Sequence, residues 1–167
     1  MLIQKKIGHI DAFDLKGRAI DWLQLEWYEA GKRILRRKTR SGKDVALKFM
    51  AENNGLTQGD IIYEDEQAVI AIEILPCECI VVKPKDMFEM ASACYEIGNK
   101  HLPLYFEENS LLVPFEKPLF RLLTAQDYNV SLENRKLLHP LKTTVSPHEH
   151  SNESLFSKIM KLTNSNE

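Results

Sequence analysis

The chain has 167 residues, of which 44% are hydrophobic and 28% charged, a balance typical of a folded globular protein. Its 22 basic and 24 acidic residues give a formal charge of −2, which excludes a general electrostatic attraction for nucleic acid. The three cysteines are too few for a disulfide framework, and no apolar run is long enough to span a bilayer. Because Lys5 and Lys6 interrupt the first apolar residues, the N-terminus does not resemble a secretory signal, and we expect a cytoplasmic protein.

Residues 1–75 are predicted to form a β-rich domain. Apolar side chains recur at every second position in Leu23, Leu25 and Trp27, and again from Val45 to Phe49. Turn signals such as Asn53-Asn54-Gly55 separate these short runs. The pattern predicts a small sandwich or a distorted barrel.

Residues 76–142 change to a mixed pattern. The elements expected there are, in order, a strand at 77–82, a helix after Pro84, a hairpin across Glu108-Asn109-Ser110, a second helix after Pro118 and one extended segment within 129–142. Gly98-Asn99 predicts a left-handed end to the first helix. Strand, helix, two strands, helix and strand is the ferredoxin-like order. We therefore predict an α+β fold, in which an N-terminal all-β domain precedes a ferredoxin-like (βαββαβ) C-terminal domain and a flexible tail.

The predicted flexible tail, residues 143–167, is rich in Ser, Asn, Thr and His and has too little apolar surface to order itself. Within it, the apolar positions of 155–162 could form one short amphipathic helix that would need a partner surface.

His148 and His150 lie one residue apart in this tail, where packing in a core cannot explain them. Imidazole is a good ligand for nickel, copper and zinc, and two rings on an adaptable backbone can close on one ion. The alternative is a chance pair on a solvated segment.

His101 lies at a corner between the first predicted helix and the next strand. Taken alone it is more often a surface or structural residue. In a two-fold dimer, however, a histidine near the axis meets its own copy, so that one residue supplies two ligands.

Cys77 and Cys79 share one side of a predicted strand and could bind a soft metal, but burial among apolar neighbours is favoured. Cys94 is predicted to lie in the core, and His9 and His139 are assigned no role.

Six of the nine residues from Lys32 to Arg40 are basic. They could contact phosphates or an acidic protein, although a solvated strand whose charges prevent edge-to-edge pairing is favoured. Phosphate-binding glycine loops, G-x-S-x-G and H-E-x-x-H are missing from the sequence, so we do not expect an enzyme.

The segment Tyr95 to Leu104, which reads Tyr-Glu-Ile-Gly-Asn-Lys-His-Leu-Pro-Leu, resembles the best-known segment of the urease accessory protein UreE family of nickel metallochaperones. That family typically has arginine where this chain has Lys100. Five further segments resemble family segments in the same order: Gly8-His9-Ile10, Asp21-Trp22-Leu23, Lys32-Arg33-Ile34-Leu35-Arg36, Gln58-Gly59-Asp60-Ile61 and Phe115-Glu116-Lys117-Pro118.

The resemblance implies a β domain that binds partner proteins and a ferredoxin-like domain that forms a homodimer. It further implies that His101 from both chains binds Ni²⁺ as cargo, assisted by His148 and His150, and that Zn²⁺ or Cu²⁺ may occupy the same site in vitro. The expected partners are the urease apoprotein and the urease-maturation GTPase with its accessory complex, and neither nucleic acid nor a membrane. A metal-independent adaptor remains the main alternative, and a small RNA-binding protein that uses Arg36 and Arg37 is a weaker one.

Overall fold

The N-terminal part of the chain forms two sheets whose strands follow the predicted alternation. A computed structural model describes residues 1–49 and 55–141, and the predicted tail with His148 and His150 lies outside these ranges. The strands are β1 (Leu2–Ile3), β2 (Gly8–His9), β3 (Ala19–Leu25), β4 (Ile34–Lys38), β5 (Asp44–Lys48), β6 (Asp60–Glu64) and β7 (Ala68–Ile74). One sheet has the order β1-β5-β4 and the other β2-β6-β7-β3.

The two sheets enclose one apolar core because alternate side chains of a strand face the same side. Leu23 and Leu25 of β3 and Leu47 of β5 are buried in this core with Ile70 and Ile72 of β7. Strands β3 and β7 pair in parallel over seven residues each.

The prediction that Trp27 continues the first strand is wrong. Strand β3 ends at Leu25, and Trp27 begins a short 3-10 turn, Trp27–Glu29. The turn directs the indole toward the second domain, where it packs edge-on against Tyr105 with ring centroids 6.3 Å apart.

The second domain contains the predicted order of elements. These are β8 (Cys77–Val82), α1 (Met87–Asn99), β9 (Tyr105–Glu107), β10 (Ser110–Pro114), α2 (Lys117–Ala125) and β11 (Val130–Arg135). The sheet order is β11-β8-β10-β9, so the two strands that precede the helices, β8 and β10, are central and the other two lie at the edges. This topology confirms the predicted α+β class.

Both helices cover one face of this sheet. Ala93 and Ile97 of α1 and Leu119 and Leu123 of α2 are buried against the sheet residues Ile80, Val82, Leu111 and Val113. Helix α1 begins after Asp86, whose carboxylate accepts the backbone N–H of Glu89. In the part of the chain that the structure describes, no helix is long and apolar enough to cross a membrane.

The other face of the sheet packs against the β domain. Cys79, Val81 and Leu112 form a small cluster there with Tyr105, Leu137 and the indole of Trp27. The segment after β11 also contacts both domains, since the Lys136 ammonium lies 3.4 Å from Gln58 and from Glu73, and Leu138 packs against the β-domain core.

Candidate metal centre

His101 immediately follows the end of α1 and is exposed to solvent. The last turn is closed by the N–H of Lys100, which donates to Ile97, and by the N–H of His101, which donates to Gly98 at 2.9 Å. Its backbone has a φ of +55°, in the left-handed region. The prediction that Gly98 or Asn99 provides the left-handed end is therefore wrong, because both remain helical and the reversal falls at the histidine.

Left-handed backbone is uncommon outside glycine, and His101 is one of four such residues in the described chain, with Lys16, Glu108 and Asp127. Glycine is the usual residue at this place after a helix, because a Cβ atom costs about 1–2 kcal/mol in this conformation. Histidine is among the residues enriched in the left-handed region, but it still carries part of that cost. Strained backbone that persists is often associated with a functional site, and here it carries an exposed imidazole at a corner.

The outward face of α1 is apolar. Met87, Phe88 and Tyr95 leave 81%, 83% and 71% of their surface exposed, and Ala91 and Gly98 are exposed between and beyond them. These residues follow helical spacing and lead to the end of the helix where His101 lies. Such a contiguous exposed apolar stripe on a helix indicates an interaction surface.

Gly98 belongs to this exposed face and lies within the helix, not at the left-handed end that the sequence predicts. A Cβ atom built on it would meet nothing within 4 Å, so that no contact within the described chain requires a glycine here. Glycine inside a helix costs about 1 kcal/mol relative to alanine. A close approach by a second molecule would explain the residue.

Residues 139–141, which lead to the predicted tail, pair with residues 104–106, which follow His101 in the chain. The N–H of Phe106 donates to His139, the N–H of Leu141 donates to Leu104 at 2.8 Å, and Tyr105 forms a bridge with Pro140. This pairing is antiparallel, so the chain from His139 to Leu141 runs in the direction of His101. The base of the predicted tail is thus fixed on the edge of the sheet where the corner histidine lies.

The cysteines are held as thiols. Cys79 is fully buried, its thiol donates to the Glu133 carbonyl at 3.3 Å, and burial raises its pKa to about 11. Burial also raises the pKa values of Cys77 and Cys94, which are half-buried. Because the thiolate is the metal ligand, this environment agrees with the structural interpretation of all three.

The other histidines of the described residues have different surroundings. The ring of His9 contacts the Gln58 carbonyl at 2.9 Å through Nε2 and accepts the N–H of Asp11 through Nδ1. Gly59 lies so close that a Cβ there would be 2.9 Å from the ring, which explains the glycine. His139 is exposed. Within 1–49 and 55–141 no three His, Cys, Asp or Glu side chains form a group that could hold an ion.

The fold and the candidate site define a class of two-domain protein, in which a β domain is joined to a ferredoxin-like domain that presents one imidazole beside an apolar helix face. Two family models match the chain, the UreE urease accessory protein N-terminal domain over residues 3–75 and its C-terminal domain over residues 77–154. The chain belongs to this UreE family, whose members are accessory chaperones and not enzymes.

Several curated relatives named urease accessory protein UreE are similar to the chain. The protein of Flavobacterium johnsoniae is 44% identical, and the match covers 97% of this chain and 99% of the relative. The protein of Helicobacter pylori strain Shi470 is 39% identical over 91% of this chain and 92% of its own length. The protein of Haemophilus influenzae strain PittGG is 38% identical over 84% of this chain and 78% of its own length.

Proposed function

We propose that the protein is a nickel-binding metallochaperone that delivers Ni²⁺ for assembly of the urease active site. In this proposal it acts in the cytoplasm, with the urease apoprotein and the urease-maturation GTPase and its accessory complex as partners. Membership of the UreE family supports a role in urease maturation. The observation that carries the metal assignment is the exposed, left-handed His101 at the end of the apolar face of α1.

The second part of the proposal is a homodimer built on the outward face of α1. In a two-fold dimer the same face of each chain meets its copy. Met87, Phe88 and Tyr95 would lose their exposed surface in such a contact, and Gly98 would allow the two helices to approach closely. Because His101 follows this face directly, its two copies would lie near the axis and could share one ion.

The remaining ligands are proposed to come from His148 and His150. His148 is seven residues beyond Leu141, and a chain of that length spans at most about 25 Å. His101 is only three residues from Leu104, the backbone partner of Leu141, so the distance between the two is about 10 Å along an extended chain. The tail histidines therefore have ample reach to either copy of His101.

A site of this kind suits delivery of an ion better than its storage. Imidazole nitrogen binds Ni²⁺ well, but it also binds Zn²⁺ and Cu²⁺, so either ion is expected to occupy the site in vitro. An exposed site leaves room for ligands of an acceptor protein to replace those of the donor one at a time. The imidazoles must be unprotonated to bind, which makes the affinity decrease in acid.

Equilibrium dialysis with Ni²⁺ tests the metal assignment. We expect His101→Ala to weaken binding by at least about tenfold, since removing one ligand from each chain takes two from a shared ion. His139→Ala is the matched control, because that histidine is also exposed and lies beside the same sheet edge. Full affinity in a His101→Ala dimer would refute the assignment, as would an equal loss in both variants.

Light scattering after size exclusion tests the proposed interface separately. Gly98→Leu should leave the fold intact, because the new side chain meets nothing in the described chain, and should convert dimers to monomers. Ala125→Leu, at an exposed position of α2, is the control. Dimers that persist in Gly98→Leu at micromolar concentration would exclude this face as the interface.

A further inference from the structure

The outer face of the β1-β5-β4 sheet combines apolar and basic side chains in a regular array. Leu2 pairs with Ala46, and Ala46 with Arg36, so these three residues form one row across the sheet. Ile34 and Lys48 form the row on one side, and Lys38 and Asp44 the row on the other. We call these seven residues the outer sheet face.

The apolar members of the outer sheet face are unusually open to solvent. Ile34 is 70% exposed and Leu2 61%, while their chain neighbours Leu35 and Ile3 point inward and are buried in the core. A folded protein gains nothing internally from an exposed isoleucine and leucine on one face. Together they provide an apolar contact for another molecule.

The charges on this face are predominantly positive. Arg36, Lys38 and Lys48 contribute three positive charges against the single carboxylate of Asp44, which lies 4.0 Å from Lys38. The whole chain, by contrast, has a formal charge of −2. The face therefore has a net charge of +2, opposite in sign to that of the chain.

Arg36 and its neighbour Arg37 have different roles. Arg37 turns to the opposite side of β4 and forms an ion pair with Glu29, whose side chain is only 2% exposed. Arg36 lies on the outer sheet face, and within the described residues no carboxylate is in ion-pair contact with it or with Lys48. Both cations can therefore meet a ligand without breaking an internal contact.

A shallow groove gives the face a concave part. It has a volume of about 560 Å³ and is lined by Met1, Ala46, Arg36, Lys38 and Asp44 among its residues. Along each strand, every second residue is separated by about 6.6–6.8 Å. An extended segment has the same repeat, so its alternate side chains can match successive rows of the outer sheet face.

We propose that the outer sheet face binds an extended acidic segment of a partner protein, whose carboxylates meet Arg36 and Lys48 and whose apolar side chains contact Leu2 and Ile34. This inference deepens the proposed function by naming the chemistry of a partner, but it requires no metal. A protein segment is favoured over nucleic acid because the face has no aromatic side chain on which a base could stack.

The test uses the full-length protein with EDTA and a fluorescein-labelled peptide of repeating Glu-Ser-Leu-Ser, in which glutamate and leucine share one face of the extended chain. Fluorescence anisotropy should show saturable binding that weakens at higher salt, as expected for charge contacts. Arg36→Glu and Lys48→Glu should each weaken it by roughly tenfold or more, because each reverses a contacting charge. Ile34→Ser should weaken it without changing its salt dependence. Arg121→Glu, an exposed arginine of α2, is the matched control and should bind like the wild type.

Two results would overturn the inference. One is equal peptide affinity in the wild type, Arg36→Glu and Lys48→Glu. The other is that the wild type binds a single-stranded RNA oligonucleotide or phosphatidylserine vesicles more tightly than the peptide, and that the same variants abolish this binding. That result would assign the face to a different class of ligand. Equilibrium dialysis of Arg36→Glu with Ni²⁺ separates this inference from the proposed function, since metal affinity should be unchanged if the two sites are independent.

Discussion

The left-handed backbone at position 101 predicts that a residue with a Cβ atom lowers the free energy of unfolding there. The metal-free His101→Gly variant should therefore be more stable than the metal-free His101→Ala variant, although both lack the imidazole. The histidine is exposed and its φ is +55°, so its side chain contributes little packing while its Cβ atom opposes the backbone conformation.

The expected difference is modest. A left-handed conformation costs an L-residue about 1–2 kcal/mol, which glycine avoids. Glycine also increases the conformational entropy of the unfolded chain, which reduces this stabilisation by about 0.5–1 kcal/mol. The free energy of unfolding of His101→Gly should therefore exceed that of His101→Ala by about 0.5–1 kcal/mol, with a Tm difference of roughly 1–4 °C for a chain of this size.

Urea unfolding in the presence of EDTA measures this difference, at one fixed protein concentration because the stability of an oligomer depends on it. The wild type should unfold close to His101→Ala, since both carry a Cβ atom. If His101→Gly unfolds at the same urea concentration as His101→Ala, or earlier, the strain argument is wrong. A confirmed difference would mean that the imidazole is kept at a cost to the fold, as expected for a ligand.

Three further predictions concern residues that support the β domain. Arg37→Ala should lower the free energy of unfolding by about 1–2 kcal/mol in urea, because it leaves the buried Glu29 carboxylate without its cation. Gly59→Ala should cost about 2 kcal/mol or more, since φ is +83° and the added Cβ would lie 2.9 Å from His9. Partial burial acts to raise the pKa of Asp21, but hydrogen bonds from Ser41 outweigh it and lower that pKa, so its contribution is present above about pH 4 and lost in stronger acid. Asp21→Asn should accordingly unfold more easily than the wild type at pH 7 and approach it at pH 3, as measured by urea unfolding at both pH values.

The first two of these predictions have close controls. Arg36→Ala, one residue away on the exposed side of β4, should change the free energy of unfolding by less than about 0.5 kcal/mol. Gly17→Ala has a similar φ of +75° but no atom within 4 Å of the added Cβ, so only the backbone cost of about 1 kcal/mol should remain. Equal effects within either pair would contradict the assigned contacts, and a constant Asp21→Asn difference across pH would contradict the linkage.

Much of the secondary structure was predictable because it depends on neighbours along the chain. The alternation at Leu23 and Leu25 identified a strand, and the order of strands and helices after residue 76 identified the ferredoxin-like topology. Resemblance of the segment around His101 to a known family identified the family that the comparisons confirm.

The end of α1 depended on tertiary structure. Gly98 is suited to a left-handed stop, yet the helix continues through it and reverses at His101. Propensity favours the glycine by about 1 kcal/mol, but burial of Ile97 and of Leu104 on either side of the corner sets where the chain must turn.

The roles of the two faces of α1, and of neighbours such as Arg36 and Arg37, also required the folded chain. Apolar residues occur on more than one side of the helix, and periodicity could not tell that Ile97 packs on the sheet while Met87 faces solvent. Arg36 and Arg37 look alike in a basic run, but only Arg37 finds a buried carboxylate. Local sequence determines which elements form because their hydrogen bonds are local, whereas burial and partnership depend on residues that are distant in the chain and are decided only when the elements pack.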